Sequence, residues 1–409
     1  MNKKIKIGLF ALIILGVITL GLTYKNKNEV TKTKRRKQNN LAIMIKEDGA
    51  EDYIKSSSKD IPKGNYTLNR DKSYCKNNGV IGDYDSTLGK VGFSFIGTDS
   101  CYLYFDYDNS IDFLGIKIAI DTELNSSGTL GTKYVLANEN GYRFEGADPN
   151  NYICLDNQKS GTCSNSLLLF RIIGLFDEDT STDGTTSSGS KKLLKVIDTN
   201  NYGGTSGKYW NSVRTSNWST ASLKTELNGT YLTTLLGSSN VNSKLSSAIA
   251  NAKWHLGGAS NSNYITLTAD GIYGKERNTS AIYSGNPSNI YAKVGLMYPS
   301  DYGYATVGGS TTNRVGCRAK ALYDYDTADC KNNDWLFTSQ SSFVNDAEWL
   351  LSPHSSYIAA NLGSTGYVGL GVNIVNNNQF AVRPTFYLDS SVLKIVGGTG
   401  TSDNAYRIG

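Results

Sequence analysis

The sequence predicts an α+β protein, and three observations support this prediction. Short apolar or alternating runs recur along the chain between polar turn sequences, as is typical of short β-strands. Two amphipathic segments follow one another after residue 220, and strands that surround helices define an α+β domain. Tyr (27 residues) and Gly (42 residues) are abundant, which suits strands joined by tight turns.

The first forty residues predict a membrane anchor. Residues 7–24 form an uncharged run of 18 residues, which is close to the lower limit for a helix that spans a bilayer. We therefore expect a cytoplasmic tail at residues 1–6, a transmembrane signal anchor at 7–24 and a basic linker at 25–40. A cleaved signal peptide is the alternative, although the run is long for one and does not end in an Ala-x-Ala-like site.

The charges around this run leave its orientation open. Residues 25–37 carry seven basic residues, more than the three that precede the run. The positive-inside rule would place the larger group in the cytoplasm. The cysteines argue instead that the main part of the chain lies on an oxidising side. We expect a single-pass protein of the cell membrane with an extracellular ectodomain.

The net charge of +5 belongs to the N-terminal segment. Residues 1–40 hold ten basic residues and one acidic residue, so the remainder has 31 basic and 35 acidic residues. This remainder gives no electrostatic reason to bind nucleic acid. The membrane is the partner that the sequence predicts, and nucleic acid is not expected.

The six cysteines indicate structural disulfides. They fall into three neighbouring pairs: Cys75/Cys101, Cys154/Cys163 and Cys317/Cys330. Sequential pairing is the simplest of the fifteen connectivities that six cysteines allow. Zinc is the alternative, but no Cys-x-x-Cys occurs, and the two histidines, His255 and His354, are far apart in the sequence.

Residues 41–135 predict a small all-β module. Its strands are expected at residues 41–45, 66–68, 91–95 and 102–105. Turn sequences such as Asn77-Asn78-Gly79 separate them.

Residues 136–409 predict a larger α+β domain. Buried strands are expected at 168–176 and 193–197, joined by a long polar loop. Leu223, Leu227 and Leu235 share one face of a first helix, which Asn228-Gly229 could break or end. A second helix is expected from the apolar spacing between residues 241 and 252, with His255 as a packing or capping residue at its end. A late hairpin is expected from residues 367–374 and 379–388, with its turn at Asn376-Asn377-Asn378.

Several stretches of this second region resemble a known family. They are DPNNY (148–152), FRIIG (170–174), SDYGYA (300–305), WLLSP (349–353), AVRP (381–384), GGTG (397–400) and YRI (406–408). The chain resembles, over roughly residues 140–409, an uncharacterised bacterial ectodomain family related to C-type-lectin-like proteins of the formylglycine-generating-enzyme type. The resemblance implies a C-type-lectin-like fold and export by Gram-positive bacteria, and it implies no settled activity.

The same resemblance implies a framework for the C-terminal core. In that superfamily a Trp-containing strand and a terminal Arg-containing strand enclose this core. The residues that match are Trp349, Ser352, Pro353, Val382, Arg383 and Pro384. They are expected to support the fold and not to contact ligand.

The sequence offers little for catalysis. His354 lies in Ser352-Pro353-His354-Ser355, expected on a loop, and no Gly-x-Ser-x-Gly elbow accompanies it. The resemblance raises a thiol-dependent modifying enzyme as an alternative, because formylglycine-generating enzymes use a reactive cysteine pair. Only Cys317 and Cys330 could supply that pair, and a disulfide between them is favoured. An enzyme is therefore not the leading interpretation.

Calcium is a minor possibility, and no other cofactor or metal is expected. Lectins of this type bind calcium through a Glu-Pro-Asn-like loop and a Trp-Asn-Asp motif. This chain has Asp148-Pro149-Asn150 at the start of the domain and the scrambled Asn333-Asp334-Trp335. Two acidic groups could also supply oxygen ligands: Asp324 and Asp326 with Asp329, and Asp106 and Asp108 with Asp112.

A recognition surface has better support in the C-terminal part. Tyr offers a large contact area at a small entropic cost, and Asn supplies adaptable hydrogen bonds. The predicted ligand-binding residues are Tyr357, Asn361, Tyr367, Asn373, Asn376, Asn377 and Asn378. The alternative is that these residues only form strands and turns.

These observations favour a membrane-anchored, surface-displayed binding protein of the adhesin kind. Its ligand would be a glycan, a host protein or another protein of the envelope. A pilin-like structural subunit is a second alternative, although the chain lacks the Phe-Thr-Leu-x-Glu pattern and has no acidic residue in its apolar run.

Overall fold

The chain folds into two compact units, Met1–Asn109 and Ser110–Gly409. The computed structural model describes residues 39–47, 50–63, 66–86, 88–95, 97–107, 133–134, 142–159, 161–369, 374–389 and 395–409. The predicted tail, transmembrane anchor and nearly all of the basic linker lie outside these residues. Of the helices within them, none combines the length and the apolar character that a bilayer crossing requires.

The first unit is all-β in its described residues. Its strands are β1 (Asn40–Lys46), β2 (Ile54–Lys55), β3 (Tyr66–Leu68), β4 (Tyr74–Cys75), β5 (Val80–Asp85), β6 (Lys90–Ser94) and β7 (Ser100–Tyr107). Five of them form a sheet in the order β2-β1-β7-β3, with β4 also paired to β7, and β5 and β6 form a separate hairpin. β1 and β7 are parallel. All four strands predicted for this module are present.

The core of the first unit is small. In β7 alternate side chains are buried, so Leu103 and Phe105 point inward together with Ile43 from β1. The half-buried tyrosines and aliphatic residues of β3, β5 and β6 pack around these three. Because so little apolar area is enclosed, the disulfide in this unit is a significant part of its stability.

The second unit is built on a large mixed sheet. Its strands begin with β8 (Lys133–Tyr134), β9 (Tyr142–Arg143), β10 (Tyr152–Cys154), β11 (Leu169–Thr180), β12 (Gly189–Asp198), β13 (Lys208–Tyr209), β14 (Ala252–His255), β15 (Asn289–Ala292) and β16 (Val294–Gly295). They continue with β17 (Ala347–Ser355), β18 (Ile358–Gly363), β19 (Gln379–Phe380), β20 (Thr385–Asp389), β21 (Ile395–Gly397) and β22 (Tyr406–Ile408). The main sheet has the order β16-β20-β12-β11-β10-β22-β21, with β8, β9, β14 and β15 attached through β11. β13 pairs with β19, and β17 pairs with β18.

Short helices lie between the strands of the second unit along the chain. They are α1 (Ser222–Glu226), α2 (Leu232–Leu236), α3 (Leu245–Ala248), α4 (Asn261–Tyr264), α5 (Ala269–Arg277), α6 (Pro299–Tyr304), α7 (Arg314–Arg318), α8 (Ala328–Lys331) and α9 (Trp335–Thr338). Strands in several sheets with few helices confirm the predicted α+β class. The C-type-lectin-like subclass stays a prediction.

The first predicted helix continues through Asn228-Gly229. A π-helical turn, Leu227–Tyr231, joins α1 to α2. The Asn228 side chain stabilises this turn, because its amide donates to the carbonyls of Lys224 (2.9 Å) and Val294 (2.8 Å). Its oxygen accepts the backbone N–H of Val294 at 3.0 Å. Asn228 therefore ties the helix to β16 where the sequence had suggested a break.

The second predicted helix is much shorter than expected. Only α3 is helical, and Ala252, the last residue of the predicted apolar face, begins β14. The interpretation of His255 as a helix-end residue is therefore wrong, because it is the last residue of that strand. Leu245, Ala248, Ile249 and Ala252 are all buried, so their spacing reflects a segment enclosed by the core.

Candidate ligand-binding surfaces

The three disulfides match the predicted sequential pairing. Cys75 and Cys101 lie opposite each other on β4 and β7. Cys154–Cys163 ties β10 to the loop that follows it, and Cys317–Cys330 ties α7 to α8. No cysteine is left free. The thiol-enzyme alternative requires reduced Cys317 and Cys330, and the structure pairs these two sulfurs in the core.

The two framework segments lie side by side. Glu348 and Ala381 form a parallel bridge, and the Trp349 N–H donates to the Ala381 carbonyl at 2.9 Å. The Trp349 indole is buried, and its Nε1 donates to the Lys208 carbonyl at 2.8 Å. Ser352, Pro353, Val382, Arg383 and Pro384 are buried as well. Their burial is consistent with the prediction that they support the fold and do not contact ligand.

Tyr357 lies at the turn of the β17–β18 hairpin, partly exposed. The guanidinium of Arg214, an exposed residue, stacks on its ring at 4.4 Å from the ring centroid. Within the described residues, no salt bridge or hydrogen bond engages this guanidinium. A cation held on an aromatic face in this way is positioned while its N–H groups stay available.

The Asn-rich turn adjoins Tyr357. The Val375 N–H donates to the Tyr357 carbonyl at 3.2 Å, and the Asn211 N–H donates to the Val375 carbonyl at 3.1 Å. Asn377 is exposed, and Asn376 and Asn378 are half-buried. The Asn376 Oδ1 atom is buried and finds no hydrogen-bond partner among the described residues. Arg214, Tyr357, Asn376, Asn377 and Asn378 form what we call the Tyr357 face.

The other predicted recognition residues lie elsewhere. Tyr367 packs edge-to-face on Tyr323, with 5.9 Å between the ring centroids, in a separate patch. Asn361 is only 4 % exposed, so its assignment to a ligand surface is corrected: it is a buried residue of β18. Asn373 lies outside the described residues.

The predicted late hairpin does not form within the described residues. The Val368 N–H donates to the Leu322 carbonyl at 2.9 Å, while Gln379 and Phe380 pair with β13. β20 pairs with β12 and β16. Partners that are distant in the sequence therefore replace the local pairing that the turn signal suggested.

A recess between the end of β12 and the α1–α2 helix was not predicted. Its volume is about 140 Å³, and its walls are almost wholly apolar. The lining residues are Leu167, Asp198, Asn200, Asn201, Tyr202, Gly203, Tyr231, Thr234 and Leu235. We call it the Asp198 recess. A carboxylate directly after the predicted strand 193–197 was the one sequence signal that could have indicated it.

Asp198 is the charged group of this recess. Its Oδ1 accepts the Asn200 N–H at 2.9 Å and the Asn200 Nδ2 at 3.2 Å, and its Oδ2 accepts the Tyr231 hydroxyl at 2.8 Å. Burial raises the pKa of Asp198 to about 6, because the charged form loses solvation. At pH 7.5 the carboxylate is therefore mostly ionised.

The first unit has a larger and more open recess of about 290 Å³, lined by Arg70, Ser73, Tyr74 and neighbouring residues. The basic residue of this recess, Arg70, already has partners: its Nη2 lies 3.0 Å from Asp83 Oδ1 and also donates to the Gly82 carbonyl. This recess therefore offers a weaker case for a ligand.

Within the described residues, neither histidine side chain hydrogen-bonds a serine, threonine or cysteine. His354 lies in β17 and is 1 % exposed, so its expected loop position is wrong. Its ring packs on the ring of Tyr264, with 3.6 Å between the two ring centroids. Neither nitrogen of the His354 ring has a hydrogen-bond partner within the described residues. Burial lowers the pKa of His354 to about 3, which keeps it neutral. His255 Nε2 lies 3.4 Å from Glu178 Oε2.

Three of the carboxylates considered for calcium have internal partners. Asp329 accepts the N–H groups of Thr311 (2.7 Å) and Thr312 (2.6 Å), and Asp106 accepts the Asn69 amide at 2.7 Å. Asp334 is fully buried and caps α9. Asp108 and Asp112 lie outside the described residues. Calcium stays an untested prediction.

Two clusters of possible metal ligands occur among the described residues, and each joins a disulfide to a carboxylate, Asp99 or Asp156. Disulfide sulfurs are not thiolates, so the donors that zinc prefers are not offered there.

Comparison with known proteins gives no match: no family model, no curated protein and no solved structure corresponds to the chain. The fold and the sites define the class as a disulfide-bonded α+β protein with two solvent-facing candidate binding sites, the Tyr357 face and the Asp198 recess. The resemblance to C-type-lectin-like ectodomains stays a prediction.

Proposed function

We propose that this chain is a membrane-anchored protein of the cell surface that binds an acidic glycan through the Tyr357 face. The proposal includes the extracellular orientation of the ectodomain and the C-type-lectin-like nature of residues 136–409. Three disulfides support the orientation, because such bonds persist in oxidising compartments. The pairing of β10 with β22, the last strand of the second unit, supports a closed single domain.

The observation that carries the proposal is the Arg214–Tyr357 stack. The guanidinium of an exposed arginine, held at 4.4 Å over a partly exposed ring, presents a planar fork of donors that matches a carboxylate. No acidic side chain of the described residues occupies this fork. The ligand therefore supplies the negative charge.

The neighbouring amides extend this surface toward sugar hydroxyls. Asn377 is exposed, and Asn378 next to it is half-buried. Amide groups can both donate to and accept from hydroxyls. A tyrosine ring edge adds apolar contact for the face of a sugar. These groups together suit a uronic-acid or sialic-acid sugar better than a neutral one.

The test is an array of acidic and neutral glycans, probed with the full chain purified in detergent. Binding is expected to acidic glycans and to weaken when their carboxyl groups are reduced to alcohols. Arg214→Ala and Tyr357→Ala are each expected to weaken it at least tenfold, which corresponds to about 1.4 kcal/mol. Tyr367→Ala, an equal truncation on the separate patch, is the matched control and should leave binding unchanged.

Two results would overturn the proposal. One is binding that does not distinguish acidic glycans from their carboxyl-reduced forms. The other is binding that Tyr367→Ala removes and Tyr357→Ala preserves. If the chain bound an acidic protein and no glycan, the Tyr357 face would be assigned to a protein ligand.

A further inference from the structure

The Asp198 recess combines apolar walls with a buried carboxylate. Apolar walls surround a carboxylate that is 5 % exposed, and no salt bridge to Asp198 occurs among the described residues. A buried charge without an ion-pair partner is costly, and proteins normally pair it. We propose that this recess is a binding site for a primary ammonium group carried on an apolar stem.

The hydrogen bonds of Asp198 leave room for such a group. A carboxylate has about four lone-pair positions. Asn200 uses two of them at Oδ1, and the Tyr231 hydroxyl uses one at Oδ2. One acceptor position at Oδ2 therefore remains for an N–H donor of a ligand. A charge-assisted bond there would be stronger than a neutral one.

The walls and the rim suit the stem. Tyr202 and Tyr231 pack edge-to-face at 5.4 Å between ring centroids, and Leu235 closes the apolar side. Leu167, which is 48 % exposed, and the exposed Thr234 also line the recess, so it reaches solvent. A volume of about 140 Å³ equals the space of roughly five waters. That space accommodates a short alkylammonium, such as the end of a lysine side chain, and excludes a larger ring system.

Charge near the recess also favours a cation. Among the described residues, no Lys or Arg belongs to its lining. Arg383 acts on the Asp198 carboxylate only electrostatically, and Tyr231 and Asn200 are the groups that contact it. Arg383 itself is bound to Glu348. The Asp198 carboxylate would repel an anion, and a neutral apolar molecule would form no ion pair with it.

The experiment uses n-butylammonium as the probe and the full chain in detergent at pH 7.5, with binding followed by saturation-transfer NMR. We expect saturable binding at least tenfold tighter than that of 1-butanol, and no binding of butyrate. Asp198→Asn should weaken n-butylammonium at least tenfold. Lowering the pH from 7.5 to 5 should weaken it as well, because Asp198 takes up a proton near pH 6.

A second pair of variants keeps the test decisive if Asp198→Asn disturbs folding. Thr234→Trp fills the recess from its rim and should abolish binding. Thr233→Trp is the matched control, because Thr233 is also exposed on α2 and is not among the residues that line the recess. Equal binding of 1-butanol and n-butylammonium, no binding of either, or equal effects of the two Trp variants would overturn the proposal. None of these readouts involves the Tyr357 face.

Discussion

Arg383 and Glu348 form a bidentate ion pair in the core of the second unit. Arg383 Nε lies 2.8 Å from Glu348 Oε1, and Arg383 Nη2 lies 2.9 Å from Oε2. The remaining Arg383 donors reach the Leu336 carbonyl and the Ser339 hydroxyl. Every charged atom of the pair thus has a partner, which is the condition under which a buried ion pair is tolerated.

Removing one member of this pair should be strongly destabilising. Glu348→Ala leaves the Arg383 guanidinium charged, buried and partly unpaired, so we expect unfolding to become easier by about 3–5 kcal/mol. Urea unfolding followed by tryptophan fluorescence measures this in the second unit alone. The reason is that all five tryptophans, at 210, 218, 254, 335 and 349, belong to it.

The matched control for this variant is Asp177→Ala. Asp177 pairs with Lys192 at 2.9 Å on the surface, with side chains 56 % and 43 % exposed. Exposed pairs contribute about 0–1 kcal/mol. Equal losses in the two variants would show that Glu348 and Arg383 are not a buried pair in solution.

The strands were predictable because they carry their own apolar pattern. β11 and β12 each contain a mainly apolar buried stretch, at residues 169–176 and 193–197, and β7 alternates between buried and half-buried residues. The disulfides followed from the neighbouring cysteines. The second helix was not predictable, because buried residues around Leu245 and Ala252 show similar spacing whether the chain is helical or extended.

The sites were less predictable than the fold. Arg214 and Tyr357 are 143 positions apart, and nothing local to either residue indicates the other. The Asn-rich turn was located correctly, but its strands pair with partners distant in sequence. The burial of Asp198 and its contact with Tyr231, 33 positions away, arise only in the folded chain. Such properties arise from tertiary contacts that sequence periodicity does not record.

Gly258 should not tolerate a side chain. A Cβ added there would lie 2.1 Å from the Pro353 carbonyl oxygen, which is rigid backbone. Gly258→Ala should therefore destabilise the second unit by about 2–3 kcal/mol. Gly274→Ala is the control, because Gly274 lies in α5 with nothing within 4 Å of an added Cβ. Gly274→Ala should raise the free energy of unfolding by up to about 1 kcal/mol. Urea unfolding measures both variants. A lower free energy of unfolding for Gly274→Ala, or an unchanged one for Gly258→Ala, would contradict this packing.

All six cysteines should resist alkylation until the protein is reduced. Intact mass of the full chain after iodoacetamide treatment is expected to show no added groups without reductant and six with it, since the structure holds three disulfides. Each disulfide contributes about 3 kcal/mol by limiting the unfolded chain. Two groups added without reductant at Cys317 and Cys330 would restore the thiol-enzyme alternative.

His354 should make the second unit less stable in acid. Its folded pKa, about 3, lies below the ordinary value of 6.5, because the ring is buried away from solvent. The unfolded chain therefore binds a proton between these values and the folded chain does not, so stability falls as the pH drops below about 6.5. The loss from this group is about 1.4 kcal/mol per pH unit, or roughly 2 kcal/mol at pH 5.

The measurement is the difference in unfolding free energy between His354→Met and the unaltered chain, taken at pH 7.5 and at pH 5. Asp198 has a folded pKa raised to about 6 and gives the opposite slope, so the unaltered chain alone does not isolate His354. Relative to the unaltered chain, the unfolding free energy of His354→Met should rise by about 2 kcal/mol when the pH is lowered from 7.5 to 5. Gly274→Ala changes no titratable group. Its difference in unfolding free energy from the unaltered chain should therefore be the same at both pH values. A His354→Met difference that also stays constant would mean that the ring is solvated or hydrogen-bonded in solution.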